Sequence, residues 1–208
     1  MLLVQLTTVL ALRLDVYAVR LLGSMAAVGL YALVVNLSEL LLHLARPFAL
    51  VVFTGTARGN DALRLRLPAL TRALVAAGCV MGAAAFFGRD EIIGFLFGKS
   101  SAGSGPILLL RMPGALAAAV TMLLGGVLLG RGRTDLVCLG NLLGVATLSL
   151  AVVPLSLWAT TRGTAVAFTI AALVQLLWIA SALRSVRAGT PGRALTPRSV
   201  LVSWAARD

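Results

Sequence analysis

Six apolar stretches, each long enough to cross a lipid bilayer, dominate this sequence of 208 residues. A helix needs about 20 apolar residues to span roughly 30 Å of hydrocarbon. We place the spans at residues 1–23, 26–53, 68–87, 106–130, 136–158 and 163–183. Hydrophobic residues make up 60% of the chain and charged residues 12%, so a soluble domain of this size would have too little polar surface. The sequence therefore predicts an all-α, polytopic bundle of about six transmembrane helices, followed by a basic tail over residues 184–208.

The net charge of +11 is distributed as a membrane topology predicts. Under the positive-inside rule, arginine and lysine concentrate in short cytoplasmic loops. With a cytoplasmic N-terminus, eleven positive residues lie inside: Arg58, Arg64, Arg66, Arg72, Arg131, Arg133, Arg184, Arg187, Arg193, Arg198 and Arg207. Four lie outside: Arg20, Arg89, Lys99 and Arg162. We therefore expect both termini to be cytoplasmic, the tail to contact anionic membrane lipids, and no nucleic-acid partner.

No set of residues typical of a catalytic or metal site is found in the sequence. The single histidine, His43, has no nucleophile or base partner at a plausible spacing. Cys79 and Cys138 lie in apolar spans without CxxC or Cys/His spacing. Residues 94–100, GFLFGKS, resemble a phosphate-binding loop, but three residues separate the glycines where the motif needs four. We interpret them as an interfacial helix and turn on the outer face, and we expect no enzyme activity, cofactor or metal.

The first span carries charges that an isolated transmembrane helix tolerates poorly. Its twelve leucines and valines contribute about −5 kcal/mol to insertion, whereas Arg13 and Asp15 near its middle cost roughly +3 kcal/mol each. On an α-helix, Arg13, Tyr17 and Arg20 fall on one face, while Asp15 points nearly the opposite way. The charges are therefore expected to face a bundle interior or a water-filled cavity.

The second span carries a stripe of four polar residues, Asn36, Glu39, His43 and Arg46. Their spacings of 3, 4 and 3 residues place them on one face of a helix. Two interpretations remain. The charged faces line a hydrated cavity that handles a charged substrate or a proton. Alternatively, they form a structural network in which Glu39 pairs with His43 or Arg46. In that network Asp15 pairs with Arg13 across helices.

The later spans contain fewer polar residues and several closely spaced glycines. Arg111 opens the fourth span and either reaches the outer interface or faces the cavity. Gln175 in the sixth span has no evident polar neighbour. GxxxG pairs, which let helices approach closely, occur at Gly78 and Gly82, Gly126 and Gly130, and Gly140 and Gly144. We expect these pairs to pack helices within the bundle rather than to form a dimer seam.

The order of these features resembles the polysaccharide flippases of the multidrug/oligosaccharidyl-lipid/polysaccharide (MOP) exporter superfamily, over residues 1 to about 183. The resemblance rests on RLDVYAVRLLGSMAAVGLYALVVNLSELL, then FLFGKSSAGSGPILLLRMPGAL, then LLGRGRTDLVCLGNLLG. It implies two lobes of about six helices each around a cavity that opens alternately to the two sides. Only the second lobe is matched here. A missing N-terminal six-helix lobe or a second copy is therefore expected to complete the cavity, and we expect a fragment because Met1 opens directly on an apolar span.

The resemblance also implies a function. The chain would be the C-terminal half of a flippase that translocates undecaprenyl-pyrophosphate-linked oligosaccharide across the bacterial inner membrane by alternating access. Arg13, Arg20 and Arg46 would bind the anionic head group, since arginine donates paired hydrogen bonds to phosphate oxygens. Ion coupling, or positioning of the arginines, would fall to Asp15, Asn36, Glu39 and His43.

Two alternatives remain open. One is a drug or metabolite antiporter of the same superfamily, whose cationic substrates would favour carboxylates in excess. Of the ionisable residues that we place inside the membrane, three are arginines, Arg13, Arg46 and Arg111, and two are carboxylates, which favours an anion. The other is a half-flippase that transports nothing and acts as a membrane scaffold. It predicts that Arg13 and Glu39 tolerate alanine with no loss beyond stability.

Overall fold

The structure, a computed structural model, describes residues 2–59, 61–87 and 104–187, which form six α-helices and no strand. In chain order the helices are α1 (Leu2–Leu22), α2 (Met25–Ala57), α3 (Asp61–Phe87), α4 (Gly105–Gly130), α5 (Thr134–Trp158) and α6 (Thr160–Arg187). The predicted all-α fold is confirmed. The predicted outer-face helix at residues 94–100 and the tail beyond Arg187 lie outside the described residues.

Five of these helices are long and apolar enough to cross a membrane. The qualifying segments are Met25–Ala57, Leu67–Phe87, Gly105–Gly130, Thr134–Trp158 and Thr160–Val186. They indicate a multi-pass membrane protein. The helices extend beyond several predicted spans, and α3 continues through Pro68. Proline is tolerated inside transmembrane helices.

Within the described residues, connections of three residues or fewer join α1 to α2, α4 to α5 and α5 to α6. Ser24 caps the N-terminus of α2, since its Oγ accepts a hydrogen bond from the Ala27 backbone N–H at 3.2 Å. Gly59 and Gly132 end the turns after α2 and α4 with φ of 70° and 73°. A residue with a Cβ rarely adopts this left-handed conformation, so glycine suits both turns.

Helix α4 forms the centre of the bundle. It packs most extensively against α2 on one side and α6 on another, with α3 as a further neighbour, while α1 packs mainly against α5 and α5 pairs with α6. In the most apolar stretch of α4, 61% of the residues are buried, whereas 39% or less are buried in the corresponding stretches of the other candidate membrane spans. A helix that is apolar all round belongs in the interior, and α4 is placed accordingly.

Two of the predicted GxxxG pairs bring helices of this bundle together. A Cβ at Gly126 would lie 2.8 Å from the carbonyl oxygen of Ala49, and one at Gly130 would lie 2.7 Å from that of Phe53, so α4 contacts the α2 backbone directly. In α5, Gly140 and Gly144 face side chains of α6 in the same way. Packing within the bundle is therefore confirmed for these pairs, whereas Gly82 faces open space.

Candidate functional site

Asp15 lies at the centre of a buried polar cluster that joins four helices. Its side chain is fully buried on α1. Arg111, on α4, donates a hydrogen bond and forms an ion pair with its Oδ2 atom. The same oxygen accepts a hydrogen bond from the hydroxyl of Tyr31, on α2, at 2.9 Å. The Asp15 carboxylate is thus neutralised and hydrogen-bonded inside the bundle.

The Arg111 guanidinium also contacts residues of α2 and α6. Its Nη1 atom donates to the Tyr31 hydroxyl at 2.7 Å, and its Nε atom donates to the Ser38 Oγ atom at 2.9 Å. The Ser38 hydroxyl in turn donates to the Val35 carbonyl at 2.9 Å. The guanidinium carbon also lies 3.8 Å from the ring centroid of Phe168, on α6, which is a cation–π contact.

These residues meet at the end of the bundle where α1 finishes and α2, α4 and α6 begin. At a rise of 1.5 Å per residue, Asp15, Tyr31, Arg111 and Phe168 all lie about 9–12 Å along their helices from that end. The common depth explains how side chains far apart in sequence come together. Because Arg111 is 1% exposed and bonds residues of α1 and α2, this buried cluster ties the helices together.

A second ion pair joins an exposed arginine of α1 to a buried glutamate of α2. The Nη2 atom of Arg13 lies 3.4 Å from the Oε2 atom of Glu39, with 50% of the arginine side chain and 12% of the glutamate side chain exposed. The other carboxylate oxygen of Glu39, Oε1, is buried and has no hydrogen-bond partner among the described residues. At that separation the pair is loose, so Arg13 retains donors for another anion.

The remaining predicted site residues are exposed, and their helical spacing places them on the same sides of α1 and α2 as this pair. They are Arg20 on α1 and Asn36, His43 and Arg46 on α2. Together with Arg13 and Glu39 they form what we call the α1/α2 polar face. Asp15 does not belong to it, because it projects from the opposite side of α1 into the buried cluster, as the helical spacing of Asp15 and Arg13 predicts.

The pairings proposed for a structural network are wrong. Asp15 pairs with Arg111 rather than Arg13, because Arg13 lies on the exposed side of α1. Glu39 pairs with Arg13 rather than with His43 or Arg46, since it sits at the edge of α2 nearest α1. In the described part of the chain, His43 and Arg46 form no ion pair with it.

Sequence reasoning missed most members of the buried cluster. Arg111 was expected at the outer interface or in a cavity, and Tyr31, Ser38 and Phe168 were not singled out. One signal was present: Asp15 faces away from Arg13, so its countercharge had to come from another span. Gln175, which has no evident polar neighbour in the sequence, donates from its Nε2 atom to the Oδ1 atom of Asn141 at 2.6 Å, across α5 and α6.

Comparison of the chain with protein-family models, with curated proteins and with solved structures gives no match. The resemblance to MOP flippases therefore stays a prediction from the sequence motifs.

Proposed function

We propose that the chain is one half of a membrane transporter that moves an anionic, lipid-linked substrate across the bilayer along the α1/α2 polar face. The observation that carries this proposal is the set of polar side chains exposed on the outside of an otherwise apolar bundle. Glu39 lies about 21 Å along α2 from its first residue, which is well inside a hydrocarbon core of about 30 Å.

A polar face at this depth is costly if lipid covers it. Each charged side chain near the centre of a span costs roughly 3 kcal/mol in insertion experiments, and such residues usually face a protein interior or water. A second polar body of similar design, either another six-helix lobe or a second copy of this chain, would cover the face. The space between the two bodies would then be hydrated.

The charge balance favours an anion as the substrate. Arg111 and Asp15 neutralise each other in the buried cluster, so neither contributes to the face. The face itself carries three positive charges, on Arg13, Arg20 and Arg46, against one negative charge on Glu39. Arginine binds phosphate oxygens through paired donors and stays charged when partly desolvated. A pyrophosphate head group attached to a polyprenyl lipid fits this chemistry, because its tail can stay in the bilayer while its sugars cross with the head group.

Within this proposal, the chain resembles the C-terminal lobe of a polysaccharide flippase in the bacterial inner membrane, with both termini cytoplasmic and alternating access as the mechanism. A drug or metabolite antiporter is the second candidate. The observation that favours it is the buried Oε1 atom of Glu39, which has no hydrogen-bond partner within residues 2–59, 61–87 and 104–187 and offers an acceptor to a cation or a proton.

Translocation of lipid-linked oligosaccharide in a flippase-deficient strain tests the proposal. We would compare the chain alone, the chain fused behind a six-helix N-terminal lobe, and the fusion carrying Arg13→Ala and Arg46→Ala. The fusion is expected to restore translocation, and the double substitution is expected to lower it at least tenfold at equal expression. This loss corresponds to about 1.4 kcal/mol or more of head-group binding.

Arg162→Ala is the matched control, since Arg162 is an exposed arginine at the start of α6 and lies outside the polar face. It is expected to leave translocation unchanged. Full activity of the double variant would reject the anion-binding role of the two arginines. A well-expressed fusion that restores no translocation would favour the scaffold or the antiporter, and only the antiporter predicts export of a cationic substrate that Glu39→Gln abolishes.

A further inference from the structure

A cleft of about 540 Å³ opens between α3, α4 and α6. It lies at the end of the bundle where α3 begins and where α4 and α6 finish, opposite to the end that holds the buried cluster. Val75 and Ala76 of α3 form one wall, and Leu124 of α4 and Leu183 of α6 form the other. The volume is within the range of roughly 300–1,000 Å³ of cavities that hold small ligands.

The walls of this cleft offer almost no polar group to a ligand. Pro68 lines it and has no backbone N–H. Thr71 lines it too, but its hydroxyl already donates to the Leu67 carbonyl at 2.9 Å. An apolar cleft that faces hydrocarbon favours an occupant that is itself apolar and elongated, such as an acyl chain.

Arg72 adds a positive charge to the rim of the cleft. Its side chain is exposed, and it forms no ion pair within the described residues. Arg184, which follows Leu183 on α6, is exposed at the same end. An arginine within a span extends toward the head-group region and binds a counterion there. Basic pockets between transmembrane helices bind the head groups of anionic lipids in this way.

We propose that this cleft is a binding site for an anionic phospholipid of the surrounding bilayer, with one acyl chain between α3, α4 and α6 and the phosphate on Arg72. A lipid is favoured over a free phosphate because most of the lining is apolar. It is favoured over a zwitterionic lipid because the rim is positive. The cleft lies on α3, α4 and α6, whereas the polar face lies on α1 and α2, so this binding does not require transport.

Native mass spectrometry of the full chain in detergent tests the site. The probes are phosphatidylglycerol and phosphatidylcholine with identical acyl chains. The unmodified chain is expected to retain phosphatidylglycerol in preference to phosphatidylcholine. Arg72→Gln is expected to lower the phosphatidylglycerol occupancy roughly fivefold, the effect expected of one arginine at an anionic lipid surface.

Two further variants separate charge from shape. Arg58→Gln removes an exposed arginine at the same end that does not line the cleft, and it is expected to have little effect. Ala76→Phe fills the cleft from an exposed position on α3 without changing its charge, and it is expected to lower the occupancy of both lipids. Equal retention of the two lipids by the unmodified chain, or equal losses with Arg72→Gln and Arg58→Gln, would overturn the proposal. The proposal would also be overturned if the unmodified chain formed a dimer without bound lipid and Ala76→Phe dissociated that dimer.

Discussion

Replacing Arg111 by glutamine is expected to lower the thermal transition of the detergent-solubilised protein by on the order of 10 °C. The substitution leaves the Asp15 carboxylate buried without its countercharge. Removing one partner of a buried ion pair typically costs about 3–5 kcal/mol, and about 1 kcal/mol shifts the transition of a protein of this size by roughly 2–4 °C. Size-exclusion chromatography of samples heated in steps measures the folded fraction.

The double variant Asp15→Asn with Arg111→Gln shows whether the unpaired charge is the cause. Neutral amides at both positions can still form hydrogen bonds with Tyr31 and with each other. The double variant is therefore expected to melt higher than Arg111→Gln alone. Arg46→Gln, which removes an exposed arginine of α2, is the control and is expected to shift the transition little. Equal destabilisation in the single and double variants would show that the charge pair is not what stabilises the cluster.

Gly126→Ala is expected to destabilise the bundle by about 1–3 kcal/mol, the usual cost of overpacking a filled interior. The new Cβ would lie 2.8 Å from the carbonyl oxygen of Ala49, and backbone atoms cannot move aside as a flexible side chain can. We expect α4 to separate from α2, its most extensive neighbour. The thermal transition should fall by several degrees in the same chromatographic assay.

Gly125→Ala provides a matched control on the adjacent residue of α4. A Cβ at Gly125 meets nothing within 4 Å. Both substitutions raise the intrinsic helix propensity by about 1 kcal/mol, so a difference between them reports the contact with α2 alone. Gly125→Ala is expected to leave the transition unchanged or slightly raised. Equal transitions in the two variants would contradict a tight α2–α4 seam.

The buried cluster also has a consequence for the proposed transport path. Asp15 and Arg13 lie on opposite sides of α1, and Ser38 and Glu39 are neighbours on α2. On α1 and on α2, a residue of the buried cluster therefore lies within two positions of a residue of the polar face. By holding α1 and α2 against α4 and α6, the cluster fixes the relative position of Arg13 and Glu39.

The amino-acid sequence by itself determined the fold class and the approximate position of each helix. Apolar runs of about 20 residues have few alternatives to transmembrane helices, because lipid leaves no other way to satisfy the backbone. The 3.6-residue period also separated Arg13 from Asp15 correctly. These are local properties, and they depend on residues within a few turns of each other.

The tertiary structure alone decided which charges pair. Asp15 and Arg111 are 96 positions apart, and α1 packs mainly against α5 rather than α4. Their contact depends on which helices pack together and on the similar distance of these residues from one end of the bundle. The helical period of the sequence predicts neither of these. The same holds for Glu39, whose nearest basic side chains in sequence are His43 and Arg46 but whose partner is Arg13. A charged residue within a membrane span indicates that a partner is present, whereas the packing of the helices determines which residue that partner is.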